Sequence, residues 1–170
     1  MTHKIYFIPM LYLLLTASLC STRVLAQIQL SNNQELQFKS LDLSNVQTGD
    51  NLGTAIETSE EALLLSVNIL PYTLENAMHY PWKIKVKRND FVWHKQLRLA
   101  VKTTAIGNSE FGKSINSSHH YKEVQNYDTL FFSGEGWINN IPLQFRITGI
   151  SVTLPANTYT TEVIFTITDD

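Results

Sequence analysis

Cysteine is nearly absent: one residue, Cys20, among 170. It falls in a stretch that reads as a leader, so the remaining chain has no disulfide and its core must suffice alone. Basic excess is also missing. The whole sequence carries 13 Lys+Arg against 15 Asp+Glu, a formal net charge of −2, which excludes a general nucleic-acid or polyanion binder while leaving room for a local patch. No Gly-x-Ser-x-Gly elbow, His-Glu-x-x-His helix motif or phosphate-cradling glycine loop occurs, so the reading is non-enzymatic, with no cofactor and no metal. Repeats, heptads and low-complexity tracts are lacking too, and the chain reads as one domain.

Residues 1–26 have the form of a secretory signal peptide, with Lys4 at the charged end and an apolar stretch from Ile5 to Leu15. Pro9 interrupts that stretch, which is shorter than the roughly 20 residues a spanning helix needs, so no transmembrane segment is expected in the mature chain. Val24, Leu25 and Ala26 suit signal peptidase and place the mature start at Gln27. The competing reading lipidates Cys20, but Leu19 stands where the lipobox wants a small residue. Cleavage near Ala26 is the expectation, giving a secreted, periplasmic or cell-surface protein. It removes Lys4 and Arg23 and no acidic residue, so the mature 144 residues are mildly acidic, 11 basic against 15 acidic. A single domain of that length buries enough apolar surface to stand without disulfides.

What is present is alternation. Tyr159, Thr161, Val163, Phe165 and Ile167 fall on one face of a closing strand, with Thr160, Glu162, Ile164, Thr166 and Thr168 on the other. Ile141 to Thr148 alternates in the same way, and Pro155 and Asn157 supply turn chemistry between the two runs. Trp82, Ile84 and Val86 oppose Lys83, Lys85 and Lys87, and Leu97, Leu99 and Val101 oppose Arg98 and Lys102. Glu61 to Leu70 has a continuous apolar start, Ala62 to Leu65, and is read as a strand covered on both sides with a short helix as the alternative. Further strands are expected at Glu35 to Leu43 and His120 to Phe132. Residues 44–60 read as a long loop or irregular edge, Gly134 to Gly136 as a bulge or turn, and Asn139 with Asn140 as another turn. The sum is an all-β, immunoglobulin-like antiparallel β-sandwich of about seven strands, residues 27–170.

The stretch Leu154 to Thr168, a small-residue turn leading into Thr158, Tyr159 and an alternating Val and Thr run, resembles the closing strand of secreted bacterial pilin-like sandwiches of the spore-coat-protein-U and archaic chaperone-usher type. Trp82 to Val86, with Ile141 and Pro142, resembles small secreted sandwich proteins of the Bacteroidetes. The likeness covers about the last thirty residues, and the cysteine pair of many such pilin domains is absent here. It implies subunits joined when an extended segment of one chain completes the sheet of the next. The segment at hand is Gln27 to Phe38, where Ile28 and Leu30 alternate with Gln27 and Gln29; the alternative is an ordinary first strand.

Two surface features are candidates for binding. If the strands around Lys85 and Val101 form a hairpin, Lys83, Lys85, Lys87, Arg98 and Lys102 share a face that suits lipopolysaccharide phosphates or acidic glycans; otherwise they are solubilising edge charges. Trp93, Tyr121 and Trp137, with Tyr127, lie in or near expected loops, where aromatic rings either stack on sugars or plug the sandwich ends. His119, His120 and Asp128 do not form a convincing metal set, because adjacent residues on a strand point to opposite faces. Asn116-Ser117-Ser118 is a glycosylation sequon in a eukaryotic host, and Asp128-Thr129-Leu130 matches a Bacteroidetes O-glycosylation pattern. The expected function is that of a secreted, non-enzymatic cell-surface or structural protein, pilin-like or adhesin-like. Its partners would be its own or neighbouring subunits by strand addition, or surface glycans. The alternative is a carbohydrate-binding module using exposed aromatics.

Overall fold

The computed structural model describes residues 25–31, 38, 55–70, 78–109, 113–117, 119–151, 153–155 and 157–169. Their alternation sets the architecture. In β4 (Pro81–Val92), Trp82, Ile84 and Val86 are fully buried while the lysines between them are half-exposed. In β9 (Thr160–Asp169), Val163, Phe165 and Ile167 turn inward, paired in register with Arg88, Val86 and Ile84. Adding β7 (Thr129–Glu135) completes a three-stranded antiparallel sheet in the order β7-β4-β9.

The larger sheet runs β1-β3-β8-β5-β6, made of β1 (Leu25–Ser31), β3 (Leu63–Leu70), β8 (Ile138–Thr148), β5 (Arg98–Thr103) and β6 (Lys122–Glu123). A two-residue strand, β2 (Ile56–Glu57), also pairs with β8. All the pairings are antiparallel. Leu65, Val67, Val101, Ile141 and Leu143 from this sheet meet Trp82, Ile84, Val86 and Phe132 from the other in one dry core. The result is an antiparallel β-sandwich. Leaving aside the two-residue β2 and β6, seven strands of six residues or more carry it.

β8 is the central strand, with β3 and β2 along one side and β5 along the other. Even its outward Gln144 is therefore buried, and its amide donates to the Thr58 carbonyl at 2.9 Å. Asn139 and Asn140 do not make the expected turn, because β8 runs straight through them. They form a bulge: Leu65 pairs with Ile141 and Val67 with Ile138, so two residues of β8 oppose Ser66 alone. Asn140 takes a left-handed φ of 53°, and its N–H donates to Ser66 Oγ at 3.0 Å.

The strand expected over His120 to Phe132 is split, because the chain changes sheets there. β6 joins the larger sheet and β7 the smaller, and Val124, 1 % exposed, plugs the core at the crossover. Its N–H donates to the Leu99 carbonyl at 2.8 Å, and Arg88 ties the same segment to β4 through the Val124 and Gln125 carbonyls. Gly136, with φ 67°, turns the chain back from β7 to β8. Of the strand expected over 35–43 only Phe38 lies within the described residues, packed against the core. Residues 1–24 lie outside them, and no described helix is long and apolar enough to cross a membrane.

Candidate functional site: the cleft between the sheets

Three strands cannot cover six, and the mismatch opens on the β9 side. Between β9 and the larger sheet lies a cavity of about 490 Å³. Its lining includes the buried side chains of Leu63, Leu99 and Phe145, joined by Leu30 of β1, Phe38, Ile147, Val163 and Phe165. The polar part of the lining comes from one run of chain, Tyr159 to Glu162, with Trp93 as the remaining aromatic.

Trp93 reaches the cleft because the β4–β9 ladder ends in a bulge between Asp90 and Val92, after which the chain turns away. Its indole N–H donates to the Leu97 carbonyl at 3.1 Å, and the Arg88 guanidinium stacks 5.2 Å from the ring centre. Arg88 is in turn held by both Asp90 carboxylate oxygens, at 2.5 and 2.6 Å. Tyr159 donates its hydroxyl to the Pro155 carbonyl at 2.6 Å and meets the His94 ring edge-on at 6.3 Å. Thr161 Oγ1 donates to the Asn89 carbonyl at 3.1 Å and lies 2.8 Å from Asp90 Oδ1. Glu162 borders the cleft too, but it is exposed and follows the outward register of β9, opposite Asn89, and among the described residues it has no ion-pair partner.

The basic residues do not form one row. β4 and β5 belong to different sheets, so the hairpin that would have united them does not exist. Lys83, Lys85 and Lys87 lie on the outer face of the small sheet, opposite Thr168, Thr166 and Ile164 of β9. Arg98 and Lys102 lie on the larger sheet. Lys87 pairs with Asp128 at 3.5 Å and Arg98 with Glu123 at 3.1 Å.

The aromatic candidates separate as well. Trp93 is the one of the three that lines the cavity. Trp137 is half-buried against the core and donates its N–H to the Ile69 carbonyl at 2.5 Å. Tyr121 lies with the Arg146 guanidinium 4.0 Å and the Lys102 ammonium 4.7 Å from its ring centre. Burial, followed by the nearby Glu57 carboxylate, pushes its hydroxyl up to about 12, against an opposing pull from Arg146. Neither that hydroxyl nor the buried Arg146 Nε makes a close hydrogen bond. Tyr127 is 62 % exposed.

Of the modification signals, Thr129 spends its hydroxyl on the Val86 carbonyl at 3.1 Å, whereas Asn116 is exposed. Sequence reasoning missed Arg146, which reads simply as the polar member of an alternating strand, while Glu162 lies on the outward face where its alternation put it. It also read Tyr159 only as a core-facing residue. No protein-family model matches this chain, and no curated protein or solved structure is significantly similar to it.

Proposed function

We propose that the chain is a secreted, non-enzymatic cell-surface or structural protein of the pilin-like or adhesin-like kind, in which β1 is an exchangeable strand. The observation that carries this reading is the position of β1. It is an edge strand, laddered to β3 alone from Leu25↔Leu70 to Ser31↔Leu64. Its inward residues Ile28 and Leu30 are half-buried against the core while Gln27 and Gln29 face out. Here the segment completes its own sheet. The same ladder made by the segment of a neighbouring copy would need no new kind of contact, which is the condition under which strand exchange has a low cost. Cleavage after Ala26 would remove two pairs of the ladder and leave those from Gln27 to Ser31.

Light scattering of residues 27–170 over a hundredfold concentration range, with and without residues 27–34, tests the reading. Oligomers that grow with concentration and vanish on truncation are the expected result. A monomer at every concentration overturns it.

A second reading, carbohydrate binding, is favoured by Trp93 and Tyr159 on the lining of one cavity. A glycan array read against Trp93→Ala tests it.

A further inference from the structure

We infer that the outer face of the larger sheet holds a binding site for one oxyanion group, a carboxylate, sulfate or phosphate, gripped by Arg146 and Lys102 beside Tyr121. It lies on the opposite face of β8 from the cleft-lining Phe145 and Ile147, and it does not depend on whether β1 exchanges between copies.

Register brings the cations together. Phe145 and Val101 are cross-strand partners with buried side chains, so Arg146 and Lys102, the next residue on each strand, both turn outward. Ala100 stands opposite Arg146 and Gln144 opposite Lys102, which makes the two cations diagonal neighbours within reach of each other. Tyr121, just before β6, carries both, with the guanidinium 4.0 Å and the ammonium 4.7 Å from its ring centre.

These two charges differ from the paired cations of the fold. Lys87, Arg88, Arg98 and Lys113 each hold a carboxylate. Among the described residues Lys102 and Arg146 have no ion-pair partner, although like charges gathered at one ring repel. Among the same residues, the buried side-chain polar atoms without a hydrogen bond are Arg146 Nε and the Tyr121 hydroxyl, both in this cluster. Unsatisfied buried groups are costly, so two in one place call for a reason. An anion supplies it. The arginine fork presents parallel donors that match two oxygens of one anion, and a neighbouring ammonium adds a third contact. Both side chains are half-exposed, which leaves the approach from solvent open.

Glu57, opposite Arg146 on β2, and Glu60 act on the hydroxyl of Tyr121, whereas the cations stand over its ring. These carboxylates lower the local positive potential and so hold the affinity down. Removing the nearer one should therefore tighten binding.

The test titrates the nitrogen-15-labelled full chain with sodium sulfate and, separately, with trigalacturonate, at an ionic strength held constant with sodium chloride. Amide and arginine Nε–H shifts report binding. Saturable shifts centred on Lys102, Tyr121 and Arg146 are expected with at least one probe. Arg146→Gln should weaken binding about tenfold, the loss of hydrogen bonds to a charged group. Lys102→Met should weaken it about threefold, and Glu57→Gln should tighten it about threefold, as for partly exposed charge pairs. Equal affinity for the two probes assigns the site to free anions, while tighter binding of the saccharide with shifts extending to Arg98 assigns it to acidic glycans. The titration of the unaltered protein and of Lys102→Met keeps the test decisive should Arg146→Gln misfold. The inference is overturned if neither probe gives saturable shifts, if the shifts centre elsewhere, if Lys102→Met binds as well as the unaltered chain, or if Glu57→Gln binds more weakly.

Discussion

The indole of Trp82 lies directly on Gly134, its cross-strand partner, so closely that a Cβ at residue 134 would stand 2.4 Å from the ring. The same indole donates its N–H to the Gly136 carbonyl at 2.8 Å and meets Phe132 edge-on at 6.0 Å. Gly134→Ala must therefore displace the largest fully buried side chain of the small sheet. The expected loss is about 1–3 kcal/mol, as for other overpacked cores. Urea unfolding followed by tryptophan fluorescence would show it, and an unchanged midpoint would contradict the packing described.

The bulge at Asn140 makes a paired prediction. Its φ of 53° is tolerated by asparagine and glycine but costs alanine about 1–2 kcal/mol. Asn140→Ala should destabilise by that amount while Asn140→Gly stays close to neutral. Ser66→Ala removes the acceptor of the Asn140 N–H and should cost about 1–3 kcal/mol, because the donor is left unsatisfied. Thermal melts of the three variants would check the order.

Alkaline titration should single out Tyr121. Its folded value is raised, to about 12 from 10.0, by burial and then by Glu57. A raised value favours the neutral form in the folded state, so this contribution to stability is whole below pH 10 and lost between about pH 10 and 12. Tyr121→Phe should flatten stability over that window and change little at pH 7, since it removes a hydroxyl that makes no close hydrogen bond. Tyrosinate absorbance against pH, compared with the variant, would isolate the late-titrating group.

Glu135 should behave in the opposite sense. Lys113 donates to Glu135 Oε2 at 2.7 Å and holds the carboxyl below its ordinary range. The associated stability is present above the unfolded value and lost as pH falls through the folded one. Lys113→Met should move the Glu135 titration upward, visible in the side-chain carbon shift. No upward movement would mean that the pair does not form in solution.

Alternation made β4, β5, β8 and β9 legible in advance, together with their inward faces, because the period of a strand decides which side chains are buried. It does not decide which strand lies beside which. Lys85 and Lys102 each sit on a strand with a clear outward face, yet those strands belong to opposite sheets. Asn139 and Asn140 announced a left-handed residue, a requirement that turns and bulges share, so the residue type was informative and the element was not.

The candidate site was less legible than the fold. Trp93 stood out as an aromatic in a connecting segment. The cavity beside it arises from the unequal widths of two sheets, a property of the whole assembly that no local pattern encodes. The stacking of Arg146 on Tyr121 joins residues 25 positions apart, on β8 and just before β6, and likewise has no local signature.

Leu30 belongs at once to β1 and to the wall of the cleft. Withdrawing the strand therefore does two things at once: it bares the β3 edge and it removes one apolar wall of the cleft. An identical strand from a neighbouring copy would restore both, because its Leu30 would take the same place in the ladder. A single insertion thus closes an unpaired edge and an apolar opening together, so a chain left without any first strand carries both defects, and closed monomers and strand-exchanged copies carry neither.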